Sequence, residues 1–319
     1  KQKTAYEIPK RDWSSDVCSS DLKQAIFTNN PSYYQAIYEN QNGTQARHAQ
    51  DIFAFAASNF FRAYPPAEWN KFRPFFLHLA FTLPNAGEEA GTNSPTRYLG
   101  PAGRFATEKW PEAERRKAAA VAHLDASVGQ LLRQLDSAKL AEHTVVIFTS
   151  DNAAQRDGLC DPAFFESNGP FRGAKGDLTE GGLRVPLLVR WPGRVKAGAT
   201  NDTPVALWDL FATAAELAGA TNAPPSDSAS LVPTLLGKPL PKPREFLYWE
   251  THEPTFRQAI RAGDWKGIRA GTNGTMELYH LARDPGEARN LAADYPVVVK
   301  HLETLLKSAR TESNVWETK

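Results

Sequence analysis

TVVIFTSDNAAQRDGLCDPAFFESNGPFRGAKGDLTEGGLRVPLLVRWP, residues 144–192, is the segment around which the rest of the chain is organised. It begins with Thr144–Thr149, a β-branched and aromatic run that is typical of a buried parallel strand. Ser150, Asp151 and Asn152 follow directly. In an open α/β sheet the loop past a strand's carboxyl end collects ligand-handling residues, because the strand holds them rigidly and the sheet leaves a crevice there. Asp151 and Asn152 are therefore the first functional candidates.

A glycine-rich segment with spaced cations comes next, and a second apolar run, Val185–Trp191, ends the stretch. A carboxylate, an amide and a lysine that follow one strand indicate a site for a metal ion and an oxyanion. The residues that form the pattern are Gly169, Arg172, Gly173, Lys175, Gly176, Gly181, Gly182 and Arg184.

Length and composition narrow the class of protein. A chain of 319 residues with 41% hydrophobic residues can bury one large core or two smaller ones. A net charge of +1 gives no global field that would attract nucleic acid or an anionic membrane, and no apolar run is long enough to span a bilayer. The two cysteines, Cys18 and Cys160, are too few for a disulfide framework. We expect a small-molecule partner.

Regular patterns predict the elements on either side of the central segment. Apolar residues among the alanines of residues 46–63 predict a helix, Pro74–Phe81 predicts a strand, and residues 86–109 predict a long loop. A helix is expected to begin at Pro111 and to lead into the central strand, and a further helix is expected over Val205–Ala218. The apolar stripe of the first of these two helices is Val121, Leu124, Val128, Leu131, Leu132 and Leu135.

The two ends of the chain differ from its middle. Residues 11–22 lack periodicity and resemble a translated sequencing adapter, so residues 1–22 are left out of fold reasoning; a genuine disordered leader is the alternative. Proline-rich stretches around residues 223–243 predict a domain transition. Short alternating runs from Phe246 onward predict a small antiparallel sheet, and Val297–Lys307 predicts a closing helix.

Three blocks resemble the sulfatase family, in particular bacterial arylsulfatase-like members of the alkaline-phosphatase-like superfamily. They are TVVIFTSDN, SNGPFRGAKGDLTEGGLRVPLLVRWPGRVKAG and ELYHLARDPGEARNLA. The resemblance covers most of residues 45–310 and implies an α/β fold, an alkaline-phosphatase-like mixed sheet flanked by helices. We expect this sheet to be incomplete here. Residues 23–222 are then the C-terminal portion of the catalytic domain, and residues 223–319 a small antiparallel α+β subdomain.

The resemblance also implies a calcium ion, a formylglycine nucleophile and roles for individual residues. Asp151 and Asn152 match the family's later pair of metal ligands, and Lys175 matches the catalytic lysine that contacts the sulfate. His252 matches a position near the substrate cleft, although an exposed histidine is the alternative. Asn85 stands where the family carries a histidine after proline, and asparagine can donate a hydrogen bond to substrate but cannot act as an acid near neutral pH.

The nucleophile motif Cys-x-Pro/Ala-x-Arg is missing. Cys18 lacks both the proline and the arginine, while Cys160 has Phe164 in place of the arginine and follows Asp151, which is the wrong order. We therefore expect an N-terminally truncated chain that is inactive alone, with the formylglycine and the first metal ligands in sequence that precedes it. Arg172 and Arg184 are expected to be structural or to support the residues that contact the ligand. The histidines lack metal-ligand spacing, which argues against zinc.

The resulting hypothesis is a sulfuric ester hydrolase that acts on a small-molecule or glycan sulfate ester. Two alternatives stay open: a phosphoryl or phosphonyl ester hydrolase of the same superfamily, and a non-catalytic sulfatase-like binding protein. The resemblance favours a periplasmic or extracellular location. It leaves the oligomeric state open.

Overall fold

The computed structural model describes residues 24–25, 34–35, 47–63, 74–85, 99–156, 160–222, 224, 226–240, 242, 244–252 and 254–311. The leader expected over residues 1–22, with Cys18, lies outside these residues. The strands are β1 Gln24–Ala25, β2 Tyr34–Gln35, β3 Val146–Thr149, β4 Leu187–Arg190, β5 Leu247–Thr251, β6 Arg257–Ala262, β7 Trp265–Ala270 and β8 Glu277–His280. The helices are α1 Ala49–Ala63, α2 Glu112–Ser137, α3 Glu180–Leu183, α4 Asp209–Leu217, α5 Val232–Leu235 and α6 Pro296–Ala309.

The chain divides into two compact units. One is built from residues 1–143 and 157–161, the other from residues 144–156 and 162–319. The boundary predicted between residues 222 and 223 lies inside the second unit and stays a prediction. Along the described residues, no helix combines the length and the apolar composition needed to cross a bilayer.

Helix α2 organises the first unit. It begins after Pro111, and acidic residues in its first turn suit the positive end of the helix dipole. Its buried side matches the predicted stripe at Leu131 and Leu135 but not at Val121, which is 47% exposed while the neighbouring Ala120 is buried. Gln134 Nε2 donates to the Ser58 carbonyl of α1 at 2.8 Å. The core of this unit consists of Leu83, Leu99, Ala113, Ala120 and Cys160, with Leu124 packed against it.

The strand predicted over Pro74–Phe81 is wrong. Exposure alternates along residues 74–81, as it does in a strand, but the backbone forms no regular element. A strand needs a neighbour to complete its hydrogen-bond ladder, and no described segment pairs with these residues. Cys160 belongs to the core of the first unit. It is buried, and its Sγ lies 3.8 Å from the Ala113 carbonyl oxygen.

Strand β3 forms where the central apolar run predicted a strand, but its direction and burial were predicted wrongly. It pairs antiparallel with β4, with Val146 opposite Arg190 and Thr149 opposite Leu187. All four β3 residues are half-buried. An apolar run indicates contact with other apolar groups and carries no information on the direction of its partner, which explains the error.

Helix α4 is shorter than the predicted Val205–Ala218. The Asp209 carboxylate accepts the backbone N–H of Ala206 at 2.8 Å and that of Ala229 at 2.9 Å. The carboxylate thereby holds residues 206–208 in a turn that precedes the helix, so the helix begins at Asp209.

The C-terminal sheet confirms the predicted antiparallel arrangement, with strand order β5-β6-β7-β8. A two-residue turn joins β6 to β7, and Gly263 supplies the positive φ of +57° that this turn requires. Helix α6, predicted as Val297–Lys307, packs its apolar side against one sheet face. The core that results consists of Ile260, Met276, Leu278, Leu302, Leu305 and Leu306.

Replacement of Leu302 by alanine tests this core. The side chain is fully buried between α6 and the sheet, so Leu302→Ala should lower the free energy of unfolding by about 2–5 kcal/mol. Val297→Ala on the same helix is the control, because Val297 is 81% exposed and its loss should change stability by less than about 0.5 kcal/mol. Urea titrations followed by circular dichroism give both values. Equal effects of the two substitutions would contradict this packing.

Candidate functional site

The turn after β3 carries the first two candidate residues. Asp151 and Asn152 form a bend directly past the strand end, and both are exposed. Ser150 Oγ donates to the Asn152 carbonyl oxygen at 2.8 Å, which stabilises the turn. A carboxylate and an amide thus stand side by side on a rigid support and are accessible to a ligand.

Backbone contacts bring the lysine loop to this turn. The Lys175 N–H donates to the Ala154 carbonyl oxygen at 3.0 Å. The Asn168 side chain joins the same two segments, since its Oδ1 accepts the Ala154 N–H at 3.3 Å and its Nδ2 donates to the Gly173 carbonyl at 2.7 Å. The backbone of Lys175 therefore lies next to the segment that carries Asp151 and Asn152.

Two glycines make this tight loop possible. Gly173 has φ +95°, and a Cβ there would lie 2.1 Å from Thr179 Oγ1. A Cβ on Gly182 would lie 2.2 Å from the Asp177 carbonyl oxygen. A side chain at Gly182 would force the backbone apart, and one at Gly173 would meet the Thr179 hydroxyl in a backbone conformation that favours glycine.

A buried group of charges anchors the far end of the loop to the C-terminal sheet. The Lys266 ammonium is fully buried and lies 2.8 Å from Glu180 Oε1 and 2.9 Å from Glu287 Oε1. Glu287 Oε2 accepts the Glu180 backbone N–H at 2.7 Å, and Arg184 Nε donates to Glu180 Oε2 at 2.6 Å. Burial acts to raise the pKa of Glu180, but Lys266 and Arg184 outweigh burial and lower it below its ordinary value.

The two arginines of the segment have the structural contacts that were predicted for them. The Arg184 guanidinium lies 4.3 Å from the centre of the Phe171 ring. Arg172 Nη2 donates to the Tyr279 hydroxyl at 3.2 Å and lies above the same ring. Arg172 also lines an open cleft, so its role extends beyond that prediction.

His252 belongs to a hydrogen-bonded cluster at the end of β5. Its Nε2 lies 3.2 Å from Glu250 Oε1, and its ring packs against Phe256 at 4.9 Å between ring centres. Glu250 also accepts from the Tyr248 hydroxyl at 2.6 Å and from Arg310 Nε at 2.9 Å. Burial acts to raise the pKa of Glu250, and these donors lower it. Glu250 therefore stays ionised beside the imidazole.

Sequence reasoning missed Glu250 as a partner of His252. The signal that was available is the spacing of Tyr248, Glu250 and His252, because residues two apart along a strand share a face. Asn85 lies in the first unit, where its N–H donates to the Thr82 carbonyl at 3.0 Å after a cis Leu83–Pro84 bond. Its predicted contact with substrate stays a prediction.

The donor atoms of the turn suit a hard cation in kind but not in number. Calcium takes six to eight oxygen ligands, and Asp151 and Asn152 supply an acidic and an amide oxygen at one accessible bend. Across the described residues, no cluster of three or more histidine, cysteine, aspartate or glutamate side chains could hold a metal ion. The pair therefore fits only part of the ligand set that a calcium ion takes.

Two family models match the chain. The model described as Sulfatase matches residues 12–220, and that described as N-sulphoglucosamine sulphohydrolase, C-terminal, matches residues 175–312. The first match begins inside the leader that was set aside above. Together the two matches include the turn, the lysine loop and the C-terminal sheet.

Named sulfatases are similar over much of the chain. The N-acetylgalactosamine-6-O-sulfatase of Bacteroides thetaiotaomicron is 34% identical over 60% of this chain and 41% of its own length. The N-acetylgalactosamine-6-sulfatase of Canis lupus familiaris is 31% identical over 86% of this chain and 56% of its own length. The steryl-sulfatase of Mus musculus is 33% identical over 70% of this chain and 39% of its own length. The chain spans about half the length of the curated relatives it matches.

Solved structures agree with the fold. The crystal structure of Ps i-CgsB has a TM-score of 0.67 at 25% identity and covers 86% of this chain and 59% of its own. A structure from the glycosaminoglycan metabolism of Bacteroides thetaiotaomicron has a TM-score of 0.62 at 27% identity, with coverages of 90% and 59%. The incomplete α/β arrangement predicted from the sequence is consistent with these structures.

Replacement of Lys266 tests the anchor of the loop. Lys266→Met leaves Glu180 and Glu287 buried without their shared cation, so the free energy of unfolding should fall by about 3–5 kcal/mol. Lys300→Met on the exposed side of α6 is the matched control and should change stability by less than about 0.5 kcal/mol. Denaturant titration measures both. A loss below about 1 kcal/mol for Lys266→Met would contradict the predicted role of the ammonium.

The lowered pKa of Glu180 predicts an acid-dependent contribution to stability. Because the folded state binds the proton of Glu180 less readily than the unfolded state, the contribution is present above the ordinary value of 4.5 and is lost as the pH falls through the lowered value. The stability difference between the wild type and Glu180→Gln should thus be largest near neutral pH and should shrink below about pH 4.5. Urea titrations at several pH values measure it. A difference that is independent of pH would contradict this assignment.

Proposed function

The chain belongs to the sulfatase family, and from this premise we propose that the protein hydrolyses a sulfuric ester, with Asp151 and Asn152 on a calcium ion and Lys175 on the sulfate. The observation that carries the proposal is the hydrogen bond from the Lys175 N–H to the Ala154 carbonyl. This bond supports a single site, because it joins the loop that carries Lys175 to the turn that carries Asp151 and Asn152.

The chemistry needs positive charge on the sulfuryl oxygens, a nucleophile in line with the sulfur, and a proton for the leaving alcohol. The Lys175 ammonium meets the first need, since a fixed cation is favoured where negative charge grows in the transition state. Calcium, when held by Asp151 and Asn152, would add a Lewis acid beside it. A formylglycine would supply the nucleophile, and the motif for it is absent from the printed sequence.

We propose that His252 contacts the substrate on the side of the leaving group or of the sulfate. The ionised Glu250 accepts a hydrogen bond from His252 and thereby orients the ring. Asn85 is proposed from the sequence pattern alone as a substrate contact, and its amide can donate a hydrogen bond but cannot transfer a proton.

The proposed substrate is a sulfated glycan, with a small-molecule sulfate as the second choice. The names of the relatives support this order, since two are N-acetylgalactosamine-6-sulfatases and another is a steryl-sulfatase. They also favour a sulfatase over the phosphoryl or phosphonyl ester hydrolase and over the non-catalytic relative. We place the protein outside the cytoplasm, in the periplasm or the extracellular space.

Kinetics of the protein expressed from its complete gene test this function. Lys175→Ala should lower kcat/KM for a 6-sulfated N-acetylgalactosamine by about 10²–10³-fold, because one electrostatic contact to the transition state is lost. Asp151→Ala should do the same and should weaken the response to added calcium. Lys196→Ala and Asp202→Ala, both at exposed positions of the same unit, should keep wild-type rates.

Three outcomes would count against the proposal. Full activity of Lys175→Ala would exclude the lysine from the site. Faster turnover of the matching phosphate ester would favour the phosphoryl or phosphonyl alternative. Tight binding of the sulfated sugar with no turnover, in a protein that carries formylglycine, would favour the non-catalytic relative.

A further inference from the structure

A cleft of about 430 Å³ lies in the second unit, where the glycine-rich loop meets the C-terminal sheet. The volume suits a ligand the size of one or two sugar rings. Loop residues form one side, and residues of β6, β7 and β8 form the other. Its charged lining residues are Arg156, Arg172, Asp177, Arg257, Arg269 and Glu277.

Strand register decides which arginine side chains face the cleft. Directly opposite residues share a sheet face, and Arg257 lies opposite Ala270, which also lines the cleft. Arg269 lies opposite Gln258, and its Nε and Nη2 donate to Gln258 Oε1 at 2.9 and 2.8 Å. The Arg269 guanidinium therefore belongs to the other face, and three arginine side chains remain: Arg156, Arg172 and Arg257.

The hydrogen bonds of these arginines leave their charge unneutralised. Arg172 donates to the Tyr279 hydroxyl at 3.2 Å, and Arg257 Nη2 donates to the Gly176 carbonyl at 3.2 Å. Both acceptors are neutral. Arg257 Nε is buried and has no acceptor among the described atoms. None of the three guanidinium groups forms an ion pair within 4.0 Å of a carboxylate in the described part of the chain.

The two acids of the cleft already have donors of their own. Asp177 Oδ2 accepts the Ala174 N–H at 3.0 Å, and Glu277 Oε2 accepts the Tyr279 hydroxyl at 2.7 Å. Three guanidinium groups thus share the cleft with two engaged carboxylates, and at least one buried N–H lacks an acceptor. An oxyanion would supply that acceptor, because the arginine fork fits sulfate and carboxylate oxygens.

We propose that this cleft binds a second sulfate group of a sulfated glycan, distinct from the ester that Lys175 contacts. The inference rests on the proposed function for the identity of the ligand. Arg257 binds the Gly176 carbonyl, one residue beyond Lys175, so the cleft and the lysine share a single short loop. A glycan with two sulfates on neighbouring positions would present one sulfate to Lys175 and the other to the arginines of the cleft.

Isothermal titration calorimetry of the 319-residue chain at low ionic strength tests the proposal directly. The probes are a chondroitin disaccharide with one 6-sulfate, the same disaccharide with two sulfates, and inorganic sulfate. The wild type should bind the disulfated disaccharide at least about tenfold more tightly than the monosulfated one, as one added charge-assisted contact allows. Arg257→Gln and Arg172→Gln should each remove this tenfold preference, and Arg257→Lys should retain part of it.

Two controls separate this inference from the proposed function. Arg194→Gln, at an exposed position away from the cleft, should bind all three probes as the wild type does. Lys175→Ala should weaken the binding of both disaccharides while it preserves the ratio between them. Thermal unfolding of each variant shows whether a loss of probe binding comes from misfolding. If Arg257→Gln is misfolded, the result for Arg257→Lys is used in its place.

Each remaining outcome overturns the proposal. If the arginine variants keep the tenfold preference, the second sulfate binds elsewhere. If the wild type shows no preference for the disulfated probe, the cleft does not bind a second sulfate. If inorganic sulfate binds as tightly as the disulfated disaccharide and depends on Arg257, the cleft is a site for free anions. A loss of binding in Lys175→Ala with none in the arginine variants would overturn this inference alone and would support the proposed function.

Discussion

The Lys266 ammonium, buried between the carboxylates of Glu180 and Glu287, is the interaction on which the arrangement of the second unit depends. Taking such charges out of water is expensive, and contact between opposite charges offsets this cost. Two carboxylates around one lysine leave an excess of negative charge. Arg184 at 2.6 Å from Glu180 and Arg261 at 3.9 Å offset it. Removal of one partner from such a group leaves another charge buried and uncompensated. The group therefore specifies one position of the loop against the sheet.

This anchor explains how a glycine-rich loop can hold the backbone of Lys175 in place. Glycines give the backbone the freedom to turn sharply, and the same freedom would let Lys175 move if nothing restrained the loop. The Asn168 side chain and the bond to Ala154 restrain one end, while Glu180 restrains the other. The backbone that carries Lys175 is thus held in place before a ligand arrives, and preorganisation of this kind is what electrostatic catalysis requires.

The sequence was most informative where a pattern is local. The C-terminal sheet and helices α1, α2 and α6 follow from the spacing of apolar residues, and the turn with Asp151 and Asn152 follows from its place after an apolar run. The direction of β3 could not be predicted, because it depends on a partner about 40 residues away. The run Pro74–Phe81 looks like a strand but has no paired strand among the described residues. Lys266 also escaped prediction, since a lysine in an alternating strand is usually exposed and its partner Glu180 is 86 residues distant.

The central claim is that Asp151, Asn152 and Lys175 form one site for a metal ion and a sulfate. A double-substitution cycle tests it most directly, with calorimetric sulfate affinities of the wild type, Asp151→Ala, Lys175→Ala and the double variant, each with and without calcium. One shared site predicts that calcium strengthens sulfate binding in the wild type but not in Asp151→Ala, and that the two substitutions couple by about 0.5–3 kcal/mol. Additive effects, together with sulfate affinities that do not respond to calcium, would contradict the claim.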